Sequence, residues 1–429
     1  MVTNAFVKLW EMTLGAIVWD ERQQLAFFEY DKNFDLKKFP VAPIKMPRHQ
    51  IYSFPELRTE TFKGLPGLLA DALPDRYGKD LIDIWLAQNG RPIDSLSPVE
   101  LLCFMGQRSM GALEFEPTIA PKSKVQSIEL ASLIEYTQSL LSQKEDKSIQ
   151  THEAMRDTMI DVLKMGTSAG GARPKAIIAY NETNGEICSG QTLPGNGFEH
   201  WLIKFDSVND TQFGATVGYG RVEMAYYAMA RDAGINMMES RLVEENGRAH
   251  FMTKRFDRIN GKEKVLVQTF CAIQHYDYQQ PTSYSYEQLF QTMLQLRLSY
   301  AEAEEMFRRM TFNVIARNCD DHTKNFAFMM KQDGIWQLAP AYDVCHAYRP
   351  DSEWVSQHNL SINGKRSQII KEDLLKIADQ FNIRHAEKII KEVSTVVNQW
   401  KTYADRYGVN ELLRDSIDNT LLKEFDRDK

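Results

Sequence analysis

The chain has 429 residues, 43% of them hydrophobic and 25% charged, with a formal net charge of -7. That length supports a large core divided among two or more domains, and the acidic balance argues against a general nucleic-acid binder. No apolar run approaches the roughly 20 residues of a membrane helix, and the opening MVTNAFVKLWEM shows no signal-peptide pattern, so a soluble cytoplasmic protein is expected.

In chain order, residues 5–30 hold short apolar and aromatic stretches broken by Gly15 and by Asp20-Glu21-Arg22, which predicts a small antiparallel sheet. Residues 67–88 read as helix in two pieces interrupted at Pro74, and 98–107 as another helix. SMGALEFEP, at 109–117, alternates as a strand. A small α+β unit thus closes near Pro117, and PTIAPKSKVQS at 117–127 is the connector. Helices are expected over 127–143 and 149–165. A strand KAIIAY, a polar turn region at 181–198, a strand HWLIKFD and a helix over 220–233 follow. ESRLVEE and AHFMTKRFD pair as a hairpin around Asn246-Gly247. The remainder is mainly helical, at 286–298, 301–318, 370–381, 384–406 and 410–425, with strands and loops between 318 and 364.

The fold class is therefore α+β, in two lobes, with a cleft between them for a ligand. The division is 1–120, 121–255 and 256–429. Five cysteines (Cys103, Cys188, Cys271, Cys319 and Cys345) lack CxxC spacing and read as reduced thiols, with no disulfide framework or zinc site.

ARNCDDHTKNFAFMM, at 316–330, packs Asp320, Asp321, His322, Lys324 and Asn325 between a helix-like run and a strand-like run. Any one of these side chains suits a capped, solvated turn. Together they suit a catalytic loop, in which an Asp orients an attacking hydroxyl and Lys324 neutralises a transferring phosphoryl group. Asn325 offers an amide oxygen to magnesium. GIWQLAPAYDVCHAY, at 334–348, delivers Asp343 into a turn, and Asn325 with Asp343 form a pair of hard oxygen ligands. Lys204 lies in a strand between apolar neighbours and needs a partner, either a nucleotide phosphate or Glu223 in the following helix. FMTKRFDR, at 251–258, reads as a hinge whose backbone grips an adenine edge, with Phe256 on the base and Asp257 reaching the ribose; an ordinary strand end is the plainer alternative.

GTSAGGARPKAIIAY, at 166–180, fits neither GxxxxGKS nor GxGxxG. What remains is a glycine-rich turn whose N–H groups can form an anion nest, with Arg173 and Lys175 adding charge and Pro174 removing one donor.

SAGGARPKA, WLIKF, KRFDR, NCDDHTKNF and LAPAYDV, in this order, resemble the HipA family of serine/threonine kinases, toxins of bacterial toxin–antitoxin modules. FKGLPGLLADALPDRYG and MGQRSMGALEFEP resemble that family's N-terminal subdomain, and HNLSINGKR its segment after the metal-binding Asp. The resemblance spans roughly residues 5–400.

It implies a two-lobed protein-kinase-like fold with a small N-terminal α+β subdomain and a mainly helical C-terminal lobe. It implies ATP and Mg2+, a protein substrate, a HipB-like DNA-binding antitoxin, DNA contact only through that partner, and no membrane. Asp320 would be the catalytic aspartate, chosen over Asp321 because Asn325 follows five residues later. Asn325 and Asp343 would hold the metal. Gly170, Gly171, Ala172, Arg173, Pro174 and Lys175 would form the phosphate loop, and Lys204, partnered by Glu223, would contact phosphates. Lys254, Arg255, Phe256 and Asp257, with His322, Lys324 and Tyr342, would complete the nucleotide site. Ser168 matches the serine that the family autophosphorylates to switch itself off; a phosphate there adds about -1.5 to -2 charges beside those of the nucleotide. A catalytically weak nucleotide-binding partner of an antitoxin and a small-molecule kinase remain as alternatives.

Overall fold

A computed structural model describes residues 2–120, 174–190, 197–206, 218–261 and 263–423, with isolated positions at 132–135, 137, 163, 165–166, 195 and 425. Most of the helices expected over 127–143 and 149–165, together with Ser168, Gly170, Gly171, Ala172 and Arg173, lie outside the described residues.

The alternating burial of Asn4–Leu9, Met12–Asp20 and Leu25–Tyr30 produces an antiparallel meander. Ile51–Tyr52 extends it on one side and Leu113–Glu116 on the other. The two helical pieces expected around Pro74 are Gly67–Ala70 and Arg76–Gln88, and the second is capped by Asp75, whose carboxylate accepts from the Gly78 N–H.

A second antiparallel sheet is formed by Lys175–Asn181, Ile187–Ser189, Phe198–Lys204, Ser240–Glu245 and Arg248–Lys254. Its last two strands form the expected hairpin, with Asn246 and Gly247 both at positive φ, 44° and 76°. Helix Tyr219–Asp232 packs on this sheet so closely that a Cβ at Gly220 would stand 2.0 Å from the Ala249 carbonyl oxygen. A third sheet, Leu266–Thr269, Ala327–Met330 and Trp336–Leu338, lies in the helical lobe.

Helix Tyr300–Ile315 is the spine of that lobe. Ser299 and Glu302 close a capping box at its start, and Met306, Phe307, Met310, Phe312, Val314 and Ile315 are buried along it. The single helix expected over 384–406 is instead two, Ala386–Val397 and Trp400–Arg406, because the chain turns at 398–399 and buries Trp400 edge-on against Tyr226.

Packing crosses the connector expected after residue 120. Trp201, Ile178, Ile203 and Met252 of the second sheet share a core with Tyr77, Leu81 and Phe104 from the first segment. The first sheet meanwhile shares a core with the helical lobe. The N-terminal segment therefore braces both lobes.

Candidate active site

The loop that carries the acidic cluster is held at both ends. Helix Tyr300–Ile315 stops at Ala316, and Arg317 turns the chain with φ 57°. Cys319 N–H then donates to the Ala347 carbonyl at 3.0 Å, which ties the loop to the segment after Asp343. A short 3-10 turn, Thr323–Asn325, is capped by His322, whose Nδ1 accepts from the Lys324 N–H.

Within this loop the two adjacent aspartates have opposite surroundings. Asp321 has no side-chain exposure. Its carboxylate accepts from the Tyr286 hydroxyl (2.8 Å), pairs with His358 Nδ1 (2.9 Å) and accepts from the Asn359 N–H (2.7 Å). Burial would discharge His358, but Asp321 overcomes it and raises the imidazole to about 10. Asp320 keeps 35% side-chain exposure. Its Oδ1 accepts from the Trp354 indole at 2.6 Å, and His322 Nε2 stands 3.8 Å from the same oxygen. Burial raises the Asp320 pKa, and nearby Asp343 pushes it the same way.

Asn325 donates through Nδ2 to the Asp320 carbonyl at 2.6 Å, and among the described residues no donor is placed on its Oδ1. Asp343 sits at φ 55°, in the left-handed region, and its side chain is exposed. Lys204, at the end of Phe198–Lys204, bridges Glu223 Oε1 (2.5 Å) and Asp343 Oδ1 (2.6 Å). Burial alone would lower the Lys204 pKa, yet Asp343 and Glu223 together raise it above the lysine range. In return, Lys204 holds the Asp343 carboxyl well below the usual carboxylate range.

Asn325, Tyr342 and Asp343 line one small cavity with Asp321. Among the described residues no three His, Cys, Asp or Glu side chains form a metal cage. An amide oxygen beside one carboxylate, with coordination positions left for water and phosphate, fits magnesium.

The other expected residues divide. Pro174 is buried, and its carbonyl accepts from the Phe205 N–H at 3.1 Å. Lys175 is also buried, directly opposite Lys204 in the sheet register. Its Nζ lies 3.8 Å from Asp75 of the N-terminal segment; burial lowers its pKa, and Asp75 and Asp343 oppose that. The Lys324 ammonium lies 4.8 Å over the Tyr278 ring, and Asp71 and Asp75 help to support its charge. Phe256 stacks on Tyr342 at 5.9 Å, and the Tyr342 hydroxyl donates to the Lys324 carbonyl.

Three hinge side chains go elsewhere. Lys254 pairs with Glu199 at 2.5 Å on the neighbouring strand. Arg255 and Asp257 form a buried two-pronged ion pair at 2.8 and 2.6 Å, and Asp257 also accepts from the Gly111 N–H and from Arg258. Asp257 is fully buried and both its oxygens are engaged, so its side chain does not face a ribose as the sequence reading expects.

Sequence reasoning passed over Asp75 and Trp354. A helix-capping motif marks Asp75. Nothing local marks Trp354, whose bond to Asp320 spans 34 positions.

Residues 5–116 match the HipA N-terminal domain, and residues 167–400 match the HipA-like C-terminal domain. The chain belongs to the HipA family. The serine/threonine-protein kinase toxin HipA of Shewanella oneidensis is 22% identical over 359 residues, covering 78% of this chain and 73% of that protein. A HipA chain solved in the Shewanella oneidensis complex of HipA, HipB and operator DNA superposes with a TM-score of 0.66 at 18% identity, over 97% of this chain and 96% of that one. This HipA-family chain thus has the two-lobed, kinase-like α+β fold expected from its sequence. No described helix is long and apolar enough to cross a membrane.

Proposed function

We propose that the chain is an ATP- and magnesium-dependent serine/threonine protein kinase that acts as a HipA-like toxin. The observation that carries this reading is the ion-pair bridge Glu223–Lys204–Asp343, with the Asp320–Asn325 loop facing Asp343. In this reading the N-terminal unit, 1–120, buttresses an ATP-binding part, 121–255, and a helical part, 256–429.

Asn325 Oδ1 and the Asp343 carboxylate hold magnesium, which when bound spreads the negative charge of the phosphates. Lys204 meets the phosphates from the sheet side, anchored by Glu223 so that its ammonium stays charged in a partly buried place. Lys175 and Lys324 add positive charge nearby. Phe256 and Tyr342 offer an aromatic face to the base. Asp320 accepts the hydrogen bond of the incoming serine or threonine hydroxyl and aligns it with the transferring phosphoryl group. Little covalent chemistry is asked of the protein; positioning and charge supply the rate.

Phosphorylation of Ser168 would place a second anion at the phosphate loop and switch the enzyme off. A basic, HipB-like antitoxin is the proposed partner. The net charge of -7 supports DNA contact through that partner alone.

Incubation with labelled ATP and magnesium, followed by phosphosite mapping, tests this. Label is expected on Ser168. Asp320→Ala and Asp343→Ala are each expected to lower transfer by at least about 1,000-fold while leaving the melting temperature near wild type. Wild-type transfer by either variant removes the assignment. Nucleotide binding without transfer to any protein supports the weak nucleotide-binding alternative instead.

A further inference from the structure

The carboxylate of Asp320 is free to rotate about its own axis unless something holds it. The loop at 349–357 places one group there. Ser352 Oγ accepts from the Trp354 and Val355 N–H groups, both at 3.2 Å, and Ser356 N–H donates to the Ser352 carbonyl at 3.1 Å. Asn359 ties this loop to the catalytic one. Its Nδ2 donates to the Trp354 carbonyl (3.2 Å) and to the Cys319 carbonyl (2.7 Å), while its N–H donates to Asp321. Trp354 is therefore fixed in backbone before its side chain is considered.

The indole then reaches back to the catalytic loop. Its ring lies 6.0 Å from His322 and 6.5 Å from Tyr278, both edge-on, and those two rings are 5.4 Å apart. Its N–H points at Asp320 Oδ1, at 2.6 Å. Among the described residues no donor is placed on Oδ2. An indole N–H only donates, so it recognises a carboxylate oxygen and offers nothing that competes with Asp320 for an incoming hydroxyl.

We propose that Trp354 is a positioning residue for phosphoryl transfer, holding Asp320 Oδ1 through its indole N–H so that Oδ2 faces the acceptor hydroxyl. This rests on Asp320 being the group that orients that hydroxyl. Trp354 does not touch the nucleotide in this arrangement. Its loss therefore slows transfer without weakening ATP binding, because alignment of the acceptor matters at the transition state and not in the nucleotide complex.

The test compares wild type, Asp320→Asn, Trp354→Phe and Trp354→His. It uses labelled ATP with magnesium to read transfer to protein, and titration with a fluorescent ATP analogue to read binding. Phe keeps the ring and removes the donor. His restores an N–H on a smaller ring. The expected result is no transfer by Asp320→Asn. For Trp354→Phe it is transfer slowed on the order of 10- to 100-fold at saturating ATP, with the half-saturating ATP concentration unchanged. Trp354→His should fall between Phe and wild type.

A Trp354→Phe rate equal to wild type, beside an inactive Asp320→Asn, overturns the inference and leaves the kinase reading intact. A rise in half-saturating ATP that accounts for the whole loss also overturns it. Should Trp354→Phe melt before the assay temperature, Trp354→His decides: a folded His variant slowed relative to wild type at unchanged half-saturating ATP supports the positioning role, and one as fast as wild type, or slowed only through weaker ATP binding, overturns it. If Asp320→Asn transfers as well as wild type, or wild type transfers nothing, the reading of Asp320 falls and the inference falls with it.

Discussion

His250 and His275 are kept neutral by the places they occupy. His250 Nδ1 accepts from the Asp206 N–H at 2.9 Å, and burial pushes its pKa down to about 4. His275 Nε2 accepts from the Gly67 N–H at 3.0 Å, between Phe54 and Phe62, and burial pushes it down to about 3. The unfolded chain takes up these protons near 6.5, before the folded protein does. Stability contributed by both residues is complete above pH 6.5 and is lost as pH falls through their folded values. For His250 the loss is on the order of 3 kcal/mol. His358 has the opposite sign: its contribution is complete below 6.5 and fades as pH rises toward 10. Urea midpoints measured across pH 4 to 10 should therefore peak near neutrality. A midpoint that is flat from pH 7 to 4 refutes the histidine assignment. In sequence these histidines look alike; their directions diverge because the buried Asp321 carboxylate overcomes burial at His358, whereas burial, helped by Arg248 at His250 and Lys45 at His275, prevails at the other two.

The helix Tyr219–Asp232 sets where Lys204 finds its partner. Gly220 lies near its start, one turn ahead of Glu223, and the Ala249 carbonyl fills the space a side chain would take. Gly220→Ala should force the helix off strand Arg248–Lys254, cost roughly 1–3 kcal/mol, and draw Glu223 away from Lys204. Thermal melting and nucleotide affinity should fall together; an unchanged affinity in a destabilised variant separates the helix position from the site. Periodicity places this helix within a residue or two of its ends, because its apolar face is written in the chain. The break at 398–399 was illegible for the complementary reason. The apolar period runs on through 384–406, and only the burial of Trp400 against Tyr226 shows why the axis must change.

Asp257 joins the parts of the molecule. It neutralises Arg255 and Arg258 and accepts from Gly111 of the N-terminal unit, while Arg258 donates to the Gly111 and Ser109 carbonyls. Asp257→Ala leaves two buried guanidinium groups without their carboxylate, and should cost on the order of 3–5 kcal/mol. Calorimetry should show a lowered melting temperature; an unchanged one refutes the role. Other ties reinforce this joint: Trp336 donates to the Pro40 carbonyl, Trp10 to the Lys264 carbonyl, and Thr269 to Asp71.

From the chain alone came the α+β two-lobed plan, the family, and the ordered set Lys204, Glu223, Asp320, Asn325 and Asp343. These are legible because periodicity, turn chemistry and motif order are encoded within a few residues of one another. Tertiary structure alone decided that Asp321 is locked inside while Asp320 keeps part of its side chain exposed, that Arg255 and Asp257 bind each other and the N-terminal unit, and that the Trp354 indole bonds to Asp320. Each of these depends on which groups surround a charge once water has been removed. Those groups come from distant parts of the chain, as when Lys204 meets Asp343 across 139 positions.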